Sequence, residues 1–389
     1  MADRIIRGRV EPGKVAAEIR VAAGRIAAVT LAASPPAGGA GCIISEGFLD
    51  IQVNGFAGVD FNRPALTPQE LRQATEVMWR YGVTRFFPTV ITAPLENMVR
   101  TLGAIRRARE EDPVLARAIP GVHLEGPFLS PEDGPRGAHP RAYVRDPDWE
   151  TYQRLQAAAG GLIRLVTVAP ERPGALDLIR RLAEAGTVVA IGHTDAGEAD
   201  IDAAVLAGAR LSTHLGNGAH AVLPRHRNYI QKQLAADGLF ASIIADGHHL
   251  TEFFVQNVIR CKGPERVILV TDAMAAAAAA PGLYRLGEVL ADASPDGVVH
   301  LPGTPYLAGS ALTMDRALDN VRRFAGIPVG CALAMVTQQP QRLWPDIPGG
   351  IVPGAPADLV FLGNGERLEV LETVVGGETV YRAPGREPR

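Results

Sequence analysis

The sequence predicts an α/β fold in which a (β/α)8 barrel of the TIM type carries a small β-sandwich built from both ends of the chain. Eight short apolar runs recur from residue 47 onward, and most are followed by a stretch with helical spacing. Such runs of Val, Ile and Leu are typical of parallel strands covered on both faces. Histidine and acidic residues end several runs, and the strand ends of a barrel meet at one mouth. A doubly wound open sheet is the structural alternative, because periodicity alone does not prove closure.

The eight predicted strands leave room for a helix between most of them. They are the runs 47–55, 83–90, 119–126, 162–170, 187–193, 210–217, 239–247 and 266–273. Residues 67–70 (Thr-Pro-Gln-Glu) form a capping box with proline at the first helical position, and Gly82 can end that helix. A second helix is predicted over 175–185, with Leu176 among its inward-facing residues. Eight strand–helix units make the barrel the simplest topology.

The two ends of the chain have strand-like patterns of their own. Residues 4–45 alternate in short pieces, and residues 358–362 and 370–381 do the same, with a two-residue hairpin turn at 376–377. Neither end can form a core alone, so we expect the two ends to pair in one small domain. The predicted organisation is 1–46 for the first part of the β-sandwich, 47–345 for the barrel and 346–389 for the second part.

Composition and charge exclude several classes of protein. The chain has 389 residues, a formal net charge of -3 and no long run of one sign, which argues against nucleic acid or an acidic membrane as the main partner. No window of about 18 uninterrupted apolar residues occurs, so we expect no membrane span. The N-terminus lacks a basic region followed by an apolar stretch, so we expect no signal peptide. Three widely spaced cysteines without a CxxC pattern favour reduced thiols in a cytoplasmic protein.

Three potential metal ligands, Glu125, His193 and His214, each stand at the end of a separate apolar run. Taken singly, each has an ordinary structural explanation, a salt bridge for the carboxylate or a hydrogen-bonded core position for an imidazole. Together, three ligands with one open position are the pattern of catalytic rather than structural zinc. His123 shares a strand face with Glu125 but lies two residues deeper, so we expect it to pack or to support the ligands. The sequence therefore predicts a metal site at the barrel mouth.

Two further residues are candidates for roles in the chemistry. Asp272 follows the last apolar run, where a carboxylate can act as a base toward a water beside the metal and then as an acid toward a leaving group. The alternative for Asp272 is a helix N-cap, which Asp favours. His139 lies in the long loop after the third strand. Long loops at that mouth often carry function, but an exposed loop histidine is commonly idle.

Over most of its length the chain resembles the N-acetylglucosamine-6-phosphate deacetylases of the amidohydrolase superfamily. The resemblance runs from Gly-Phe-Leu-Asp-Ile-Gln-Val-Asn-Gly at 47–55 to Gly-Ala-Pro-Ala-Asp-Leu at 354–359, and it includes His-Leu-Glu-Gly-Pro at 123–127. Most amidohydrolases carry His-x-His after the first strand, whereas Gln52 and Asn54 occupy these positions here, as in this family. The loss of two imidazoles implies one metal ion per subunit rather than a bridged pair.

The resemblance implies a role for each candidate residue. The roles implied for the chemistry are metal binding by Glu125, His193 and His214, acid–base transfer by Asp272, and polarisation of the acetyl carbonyl by His139. The residues implied to contact the sugar or its phosphate are Asn217, Gly218, His249, Leu307, Ala308 and Gly309. The implied metal and acid–base roles agree with what the strand ends predict independently.

One segment departs from the family pattern. After the second metal histidine the family usually has an aromatic-Asn-Ala-Met stretch leading to Arg-Glu-Pro-Gly, whereas this chain has Gly-Asn-Gly-Ala-His at 216–220 and Pro-Arg-His-Arg-Asn at 224–228. The arginine that would bind phosphate is therefore either Arg225, favoured by spacing, or Arg227. The alternative for both is a solvated surface charge. His248 also replaces a residue that is usually apolar.

The sequence thus predicts a metal-dependent hydrolase that removes the acetyl group from N-acetylglucosamine 6-phosphate. Zinc is the first expectation for the metal, with iron or another divalent ion as alternatives, because all accept this ligand set. The resemblance also implies a homodimer whose neighbouring subunit contributes the phosphate arginine. One alternative is a deacetylase of another N-acyl sugar or small amide. A second alternative is a sugar-phosphate-binding barrel without turnover. The presence of Asp272 argues against it, because binding alone needs no proton transfer.

Overall fold

The structure, a computed structural model of the chain, describes residues 4–13, 15–31, 42–304 and 306–385. Within these residues the strands are β1 (Arg4–Val10), β2 (Val15–Ala22), β3 (Arg25–Leu31), β4 (Cys42–Glu46), β5 (Phe48–Val53), β6 (Gly55–Phe56), β7 (Val59–Asp60), β8 (Val83–Ile91), β9 (Val122–Glu125), β10 (Ile163–Val168), β11 (Val188–Ile191), β12 (Ala209–Ser212), β13 (Phe240–Ile243), β14 (Val267–Leu269), β15 (Gly282–Leu286), β16 (Val289–Ala293), β17 (Val299–His300), β18 (Leu359–Asn364), β19 (Leu368–Val375) and β20 (Glu378–Arg382). The α-helices are α1 (Pro68–Met78), α2 (Leu95–Glu111), α3 (Pro113–Ala118), α4 (Trp149–Ala158), α5 (Ala175–Glu184), α6 (Glu198–Ala207), α7 (Tyr229–Ala235), α8 (Glu252–Lys262), α9 (Met314–Ala325), α10 (Val329–Ala334) and α11 (Gln338–Leu343). Among the described helices, none combines the length and the apolar character that crossing a bilayer requires.

Eight strands form one parallel sheet that wraps into the barrel. Their order is β5-β8-β9-β10-β11-β12-β13-β14, so each strand pairs with the next barrel strand along the chain. Each strand lies within one of the eight predicted apolar runs or extends one residue beyond it. The side chains of β5 and β8 are buried along their whole length, as expected of strands covered on both faces. The predicted (β/α)8 barrel is confirmed.

The barrel closes between its first strand, β5, and its last, β14. At the mouth, the amide of Asp272 donates to the carbonyl oxygen of Gln52 at 3.0 Å, and the amide of Asn54 donates to the carbonyl oxygen of Ala273 at 2.7 Å. At the opposite end, the segment 335–336 accepts hydrogen bonds from the amides of both strands. The seam is therefore closed directly at the mouth and by an inserted stretch of chain at the base.

A buried carboxyl group bridges the same seam below the mouth. Oδ2 of Asp50 accepts a hydrogen bond from Oγ1 of Thr271 at 2.5 Å. Oδ1 of Asp50 accepts from the amides of Thr271 at 3.3 Å and Gln52 at 3.2 Å. Burial raises the pKa of Asp50 to about 7, although these hydrogen bonds oppose the shift. The seam therefore contains a carboxyl group that changes its charge near neutral pH.

The helices between the strands largely follow the predicted signals. The side chain of Thr67 accepts from the amide of Glu70, and the Glu70 carboxylate accepts from the amide of Thr67, which completes the predicted capping box of α1. Gly82, with φ of 79°, ends the short turn that follows α1. Helix α5 lies within the predicted range, but Leu176 is 37% exposed, so its predicted inward position is wrong. The buried face is 175, 178, 179 and 182, a single helical stripe that excludes residue 176.

The two ends of the chain form one sheet of seven strands with the order β20-β19-β18-β4-β1-β2-β3. Its strands face two different cores: Ile44 and Phe361 pack in a core of the sheet's own, whereas Ile43 and Val360 pack in the core of the barrel. The pairing of the two chain ends is confirmed. The boundaries after residues 46 and 345 stay predictions, and residues 1–3, 14, 32–41 and 386–389 of the flanking parts lie outside the described residues.

Three short antiparallel strands, β15 to β17, form a sheet that the apolar runs do not predict; we call it the mouth sheet (282–300). Leu286 pairs with Val289 across a two-residue turn at 287–288. Alternate residues face inward, so Leu286 is buried while Leu283 is exposed. The inner face packs against Ile91 at the end of β8. The mouth sheet therefore covers one side of the barrel mouth.

Candidate active site

The three predicted metal ligands converge at the mouth of the barrel. Glu125 is the last residue of β9, and His193 and His214 follow the ends of β11 and β12 by two residues. All three side chains are buried, and their ligand atoms lie within 4.8 Å of one another. Oε1 of Glu125 lies 2.9 Å from Nε2 of His214 and 3.2 Å from Nε2 of His193. Three strand ends thus bring one carboxylate and two imidazoles to one point.

The chemistry of this cluster fits a divalent metal ion. Nδ1 of His193 donates to the carbonyl oxygen of Pro135 at 2.8 Å, so the neutral ring has its lone pair on Nε2, which faces Glu125. The Nε2 atoms of His193 and His214 are 3.1 Å apart. Unprotonated nitrogens and a carboxylate at such separations repel one another unless a cation lies among them. One oxygen and two nitrogen donors suit zinc and other borderline divalent ions.

The ring of His193 is packed closely by two glycines. A Cβ atom at Gly218 would lie 2.7 Å from Nδ1 of His193, and a Cβ at Gly137 would lie 3.2 Å from its Cε1. Both glycines have positive φ, 55° and 58°, which side chains rarely adopt. The two loops that carry these residues therefore need glycine in order to close over the imidazole.

Three residues of the site have an unusual backbone conformation. His193, His214 and Asp272 have φ of 50°, 28° and 50°, and they are three of the six non-glycine residues with positive φ in the described part of the chain. Such a conformation costs an ordinary residue on the order of 1–3 kcal/mol. The fold therefore concentrates backbone strain at the site, a distribution typical of functional centres.

Gln52 and Asn54, the residues in place of the His-x-His pair, each hold a carboxylate of the site. Nε2 of Gln52 donates to Oε1 of Glu125 at 2.8 Å, and Nδ2 of Asn54 donates to Oδ1 of Asp272 at 2.7 Å. Burial would raise the pKa of Glu125, but the neighbouring imidazoles of His193 and His214 hold that pKa well below the ordinary value. Both amides thus act as neutral hydrogen-bond donors that fix the position of an acidic side chain.

Asp272 stands beside the ligand cluster, three residues after the end of β14. Burial and the nearby charge of Glu125 raise the pKa of Asp272 to about 6, while His214, His249 and the hydrogen bond from Asn54 lower it. The amide of Asp272 also closes the barrel seam, as described above. A carboxyl group with such a pKa is suited to accept a proton and release it again.

His139 is buried at the site rather than idle on an exposed loop. Its ring packs edge-on against the ring of His193, with the centroids 4.4 Å apart. The amide of Thr92 donates to Nδ1 of His139 at 3.4 Å, so the neutral ring carries its hydrogen on Nε2. Burial and the neighbouring His193 lower the pKa of His139 well below its ordinary value. His139 is therefore a neutral imidazole whose Nε2 is a hydrogen-bond donor.

These side chains open into one cavity of about 250 Å³. Five of the residues that the resemblance assigns to the sugar line this cavity: Asn217, Gly218, His249, Leu307 and Gly309. Ala308 does not line it; its side chain is buried in the core of the mouth sheet, between the two loop residues that do. The cavity therefore combines a cluster that could hold a metal ion, the buried carboxyl group of Asp272 and a wall of loop residues.

Neither candidate phosphate arginine contributes to this cavity. None of the described residues that line it is an arginine or a lysine. Arg225 is exposed, and the side chain of Arg227 is 88% exposed, with its Nε 3.9 Å from Oε1 of Glu198. The structure thus does not bring these arginines together with the rest of the site within one chain.

Several cavity residues were not among the candidates from the sequence. Ile91, Leu286 and Tyr306 add apolar and aromatic surface, and Asn54 donates a hydrogen bond to Asp272. Leu286 and Tyr306 belong to the mouth sheet and the loop after it, whose alternating pattern is too short to single out. Asn54 had a signal, since it stands in the position of a metal ligand in most amidohydrolases.

Comparisons with known proteins agree with this geometry. The N-acetylglucosamine-6-phosphate deacetylase of Bos taurus is 34% identical over 365 residues, which cover 90% of this chain and 86% of that protein. The N-acetylgalactosamine-6-phosphate deacetylase of a Shewanella species is 32% identical over 344 residues, or 87% of this chain and 83% of that protein. No family model matches the chain.

A solved structure extends the likeness to the fold. It is a mutant N-acetyl-D-glucosamine-6-phosphate deacetylase from Mycobacterium smegmatis in complex with N-acetyl-D-glucosamine-6-phosphate. The two structures superpose with a TM-score of 0.88 at 32% sequence identity, over 98% of this chain and 100% of that one. The likeness therefore includes the barrel and the sheet formed by the chain ends.

Proposed function

The chain belongs to the N-acetylglucosamine-6-phosphate deacetylase family, and we propose that it hydrolyses N-acetylglucosamine 6-phosphate to glucosamine 6-phosphate and acetate. The observation that carries the proposal is the buried cluster of Glu125, His193 and His214 beside Asp272 in one cavity. Amide hydrolysis needs an activated water, a partner for the developing oxyanion and a proton for the leaving nitrogen. The residues of the cavity can meet each of these needs.

One divalent metal ion per subunit is the proposed cofactor, held by Glu125, His193 and His214. Zinc is the proposed ion, with iron or another divalent ion as alternatives that the same donors accept. When bound, such an ion supplies Lewis-acid activation of water and positive charge for the amide oxygen. Gln52 supports this site from outside by holding the Glu125 carboxylate in place.

Asp272 is the proposed acid and base. Its Oδ1 is held by Asn54, which leaves Oδ2 to accept the proton of the attacking water. The same carboxyl group then donates that proton to the nitrogen of the collapsing tetrahedral intermediate, and the C–N bond breaks with release of the amine. The raised pKa of Asp272 favours this double role, because the group has to take up the proton and lose it in one turnover.

His139 is the proposed partner of the acetyl oxygen. Because the amide of Thr92 donates to Nδ1, the neutral ring carries its hydrogen on Nε2, which can donate it to the carbonyl oxygen and to the oxyanion that it becomes. Its burial beside His193 keeps the ring neutral and oriented. A preorganised donor of this kind stabilises the transition state more than the ground state.

The sugar is proposed to lie against the wall formed by Asn217, Gly218, His249 and the loop residues Leu307, Ala308 and Gly309. Of these, Ala308 would act through the shape of the loop, since its side chain faces the mouth-sheet core. The 6-phosphate is proposed to bind Arg225 or Arg227 of a neighbouring subunit in a homodimer. The exposure of both arginines outside the cavity of their own chain supports that arrangement. A cytoplasmic location is proposed from the cysteine pattern.

A second candidate substrate is N-acetylgalactosamine 6-phosphate, with the same chemistry on a sugar of different configuration. The Shewanella relative named for that activity is nearly as similar as the Bos taurus relative. The segment 216–228, which departs from the usual family pattern, contributes Asn217 and Gly218 to the sugar side of the cavity. The identity of the hexosamine therefore depends on residues that the chemistry itself does not fix.

The test is a panel of N-acetyl hexosamines, each with and without the 6-phosphate, assayed for acetate release by the metal-loaded protein. The proposed function predicts the highest kcat/KM for N-acetylglucosamine 6-phosphate. A preference for the galactosamine compound would support the second candidate. Equal rates for phosphorylated and unphosphorylated sugars would contradict the sugar-phosphate assignment, and no acetate release from any of them would contradict the deacetylase function.

A further inference from the structure

A buried acidic residue outside the ligand cluster holds one of the cavity residues from behind. Oδ2 of Asp246 lies 2.6 Å from Nδ1 of His249, and each side chain is only 8% exposed. Oδ1 of Asp246 accepts from the amides of His248 and His249, both at 2.8 Å. A single carboxylate therefore binds both the imidazole and the main chain of the loop that carries it.

The loop itself is well supported. Asp246 follows β13 by three residues, and Nδ2 of the buried Asn320 on α9 donates to the carbonyl oxygen of Ala245 at 2.9 Å. Gly247 has φ of 85°, which turns the chain so that the amides of the next two residues reach back to Asp246. Asp246 is thus fixed on a rigid part of the fold, while His249 faces the cavity.

The hydrogen bond to Asp246 decides which ring nitrogen of His249 carries the hydrogen. Burial would raise the pKa of Asp246, but the hydrogen bonds from the His249 ring and from the amides of His249 and His248 hold it below its ordinary value, so the carboxyl group stays ionised. An ionised carboxylate only accepts hydrogen bonds, and Nδ1 must therefore carry a hydrogen. In the neutral ring Nε2 is then an acceptor, on the side of the imidazole away from Asp246.

We propose that Asp246 is a positioning residue that fixes His249 in the Nδ1–H tautomer, so that Nε2 accepts a hydrogen bond from a hydroxyl group of the sugar. The identity of the ligand in this inference rests on the proposed function, whereas the tautomer of His249 does not. Asp246 would thus support sugar binding without contacting the sugar itself. Asp246→Asn keeps an oxygen for the two amides but replaces Oδ2 by an NH2 group, which donates to Nδ1 and reverses the tautomer.

The first experiment measures the tautomer without substrate. Long-range 1H–15N spectra of the zinc-loaded, 15N-histidine-labelled protein distinguish protonated from unprotonated ring nitrogens, and the His249→Gln variant identifies the His249 signals. We expect a protonated Nδ1 and an unprotonated Nε2 in the parent and the reverse in Asp246→Asn. His248→Gln is the matched control, because His248 is exposed and offers Asp246 only its amide. An Nε2–H tautomer in the parent would overturn the inference.

The second experiment measures kinetics with N-acetylglucosamine 6-phosphate. Asp246→Asn should raise KM by up to about tenfold, the worth of one neutral hydrogen bond, with a smaller change in kcat. If Asp246 acts only through His249, adding Asp246→Asn to His249→Gln should cause no further rise. Effects that multiply in the double variant, or an unchanged KM in Asp246→Asn, would refute the positioning role.

The two experiments separate this inference from the proposed function. A parent protein that releases no acetate contradicts the proposed function, while the spectra still decide the state of His249. An active parent whose Asp246→Asn variant keeps both its tautomer and its KM contradicts the inference alone. Circular dichroism of every variant checks that the fold is retained.

Discussion

The two walls of the cavity differ in how firmly the fold holds them. On the metal side, Glu125, His193, His214 and Asp272 are all at most 8% exposed, and each has at least one further side-chain or main-chain hydrogen bond. On the proposed sugar side, the loops include Tyr306 at 54% exposure, and Arg225 and Arg227 lie outside the cavity. Strand ends of a closed barrel fix the proposed reacting groups, whereas longer loops carry the residues proposed to select the sugar.

This contrast separates the chemistry from the specificity of the protein. Changes on the metal side should affect metal content and turnover for every substrate. Changes on the sugar side should affect affinity and should do so differently for different sugars. The predictions below test this division, beginning with the largest expected effect.

Loss of any one metal ligand should abolish metal binding and, with it, nearly all activity. We expect Glu125→Ala, His193→Ala and His214→Ala to reduce the metal content, measured by elemental analysis, from one ion per chain toward none. Gln52→Ala is the matched control, because Gln52 bonds Glu125 without being a ligand, and it should keep the ion. Two tightly bound ions per parent chain, or metal loss in Gln52→Ala alone, would contradict the single three-residue site.

Asp272→Asn should keep the fold and the metal but lose turnover. An amide cannot accept the proton of the attacking water, and general acid–base groups contribute roughly 10²–10⁴-fold to rates. The measurement is kcat at full metal occupancy for both phosphorylated and unphosphorylated sugars, which should fall alike. Turnover at the parent level would reduce Asp272 to a structural residue of the seam.

The phosphate arginine should affect affinity for one class of substrate only. If Arg225 or Arg227 binds the 6-phosphate, its replacement by Ala should raise KM for the phosphorylated sugar by about ten- to a hundredfold, since a charge-assisted hydrogen bond is worth roughly 1.5–3 kcal/mol. The unphosphorylated sugar should be nearly unaffected. The two Ala variants serve as controls for each other, and equal behaviour of both substrates in both variants would place phosphate recognition elsewhere.

Asp50→Asn should change stability rather than substrate selection, the smallest effect on activity in this series. The folded-state pKa of about 7 lies above the ordinary aspartate pKa of 3.8, so the folded state binds this proton more tightly than the unfolded state does. The resulting stability is full below about pH 4 and is lost as the pH rises through about 7. An asparagine at this position does not titrate. In urea unfolding, the free energy of unfolding of the variant should therefore rise relative to that of the parent by a few kcal/mol between about pH 5 and 8.

A matched control for the seam carboxyl is Asp296→Asn, because Asp296 is an exposed residue in a turn of the mouth sheet. The Ser294 hydroxyl lowers the pKa of Asp296, so this carboxylate stays ionised between about pH 5 and 8, and the pH dependence of the variant's stability should follow that of the parent in this range. Parallel pH profiles of the parent and Asp50→Asn would show that Asp50 does not titrate in the folded protein near neutral pH.

The metal side of the site could be predicted from the sequence because each of its residues is recognisable from the short segment around it. Glu125, His193 and His214 end strands whose apolar runs are easy to recognise, and parallel strands of a barrel end at the same mouth. The convergence of these residues therefore followed from the fold class. The capping box at Thr67 and Glu70 is readable for the same reason, since both partners lie within one turn of helix.

His139 and the proposed sugar side could not be predicted to the same depth, because their geometry depends on contacts distant in sequence. Nothing near His139 indicates that it is buried against His193, or that Thr92 sets its tautomer. The mouth sheet has too few large apolar residues to be seen as a run, so Leu286 and Tyr306 were missed. The bond between Asp246 and His249 also appears only once the loop is folded.

The seam of the barrel joins segments that are far apart in the sequence, which constrains the order in which the chain can fold. Strand β5 lies near the start of the barrel and β14 near its end, and the base of the seam needs residues 335–336, which come later still. Contacts between such distant segments form slowly, because a long loop has to close first. In the folded protein the amide of Asp272 lies at this seam, beyond the end of β14, so we expect it to exchange its hydrogen faster than amides inside β10 and β11, which hydrogen-exchange mass spectrometry can measure. For a chain still emerging from the ribosome, we therefore expect Glu125, His193 and His214 to come together before Asp272 is held in place, so that the proposed catalysis becomes available only late in synthesis.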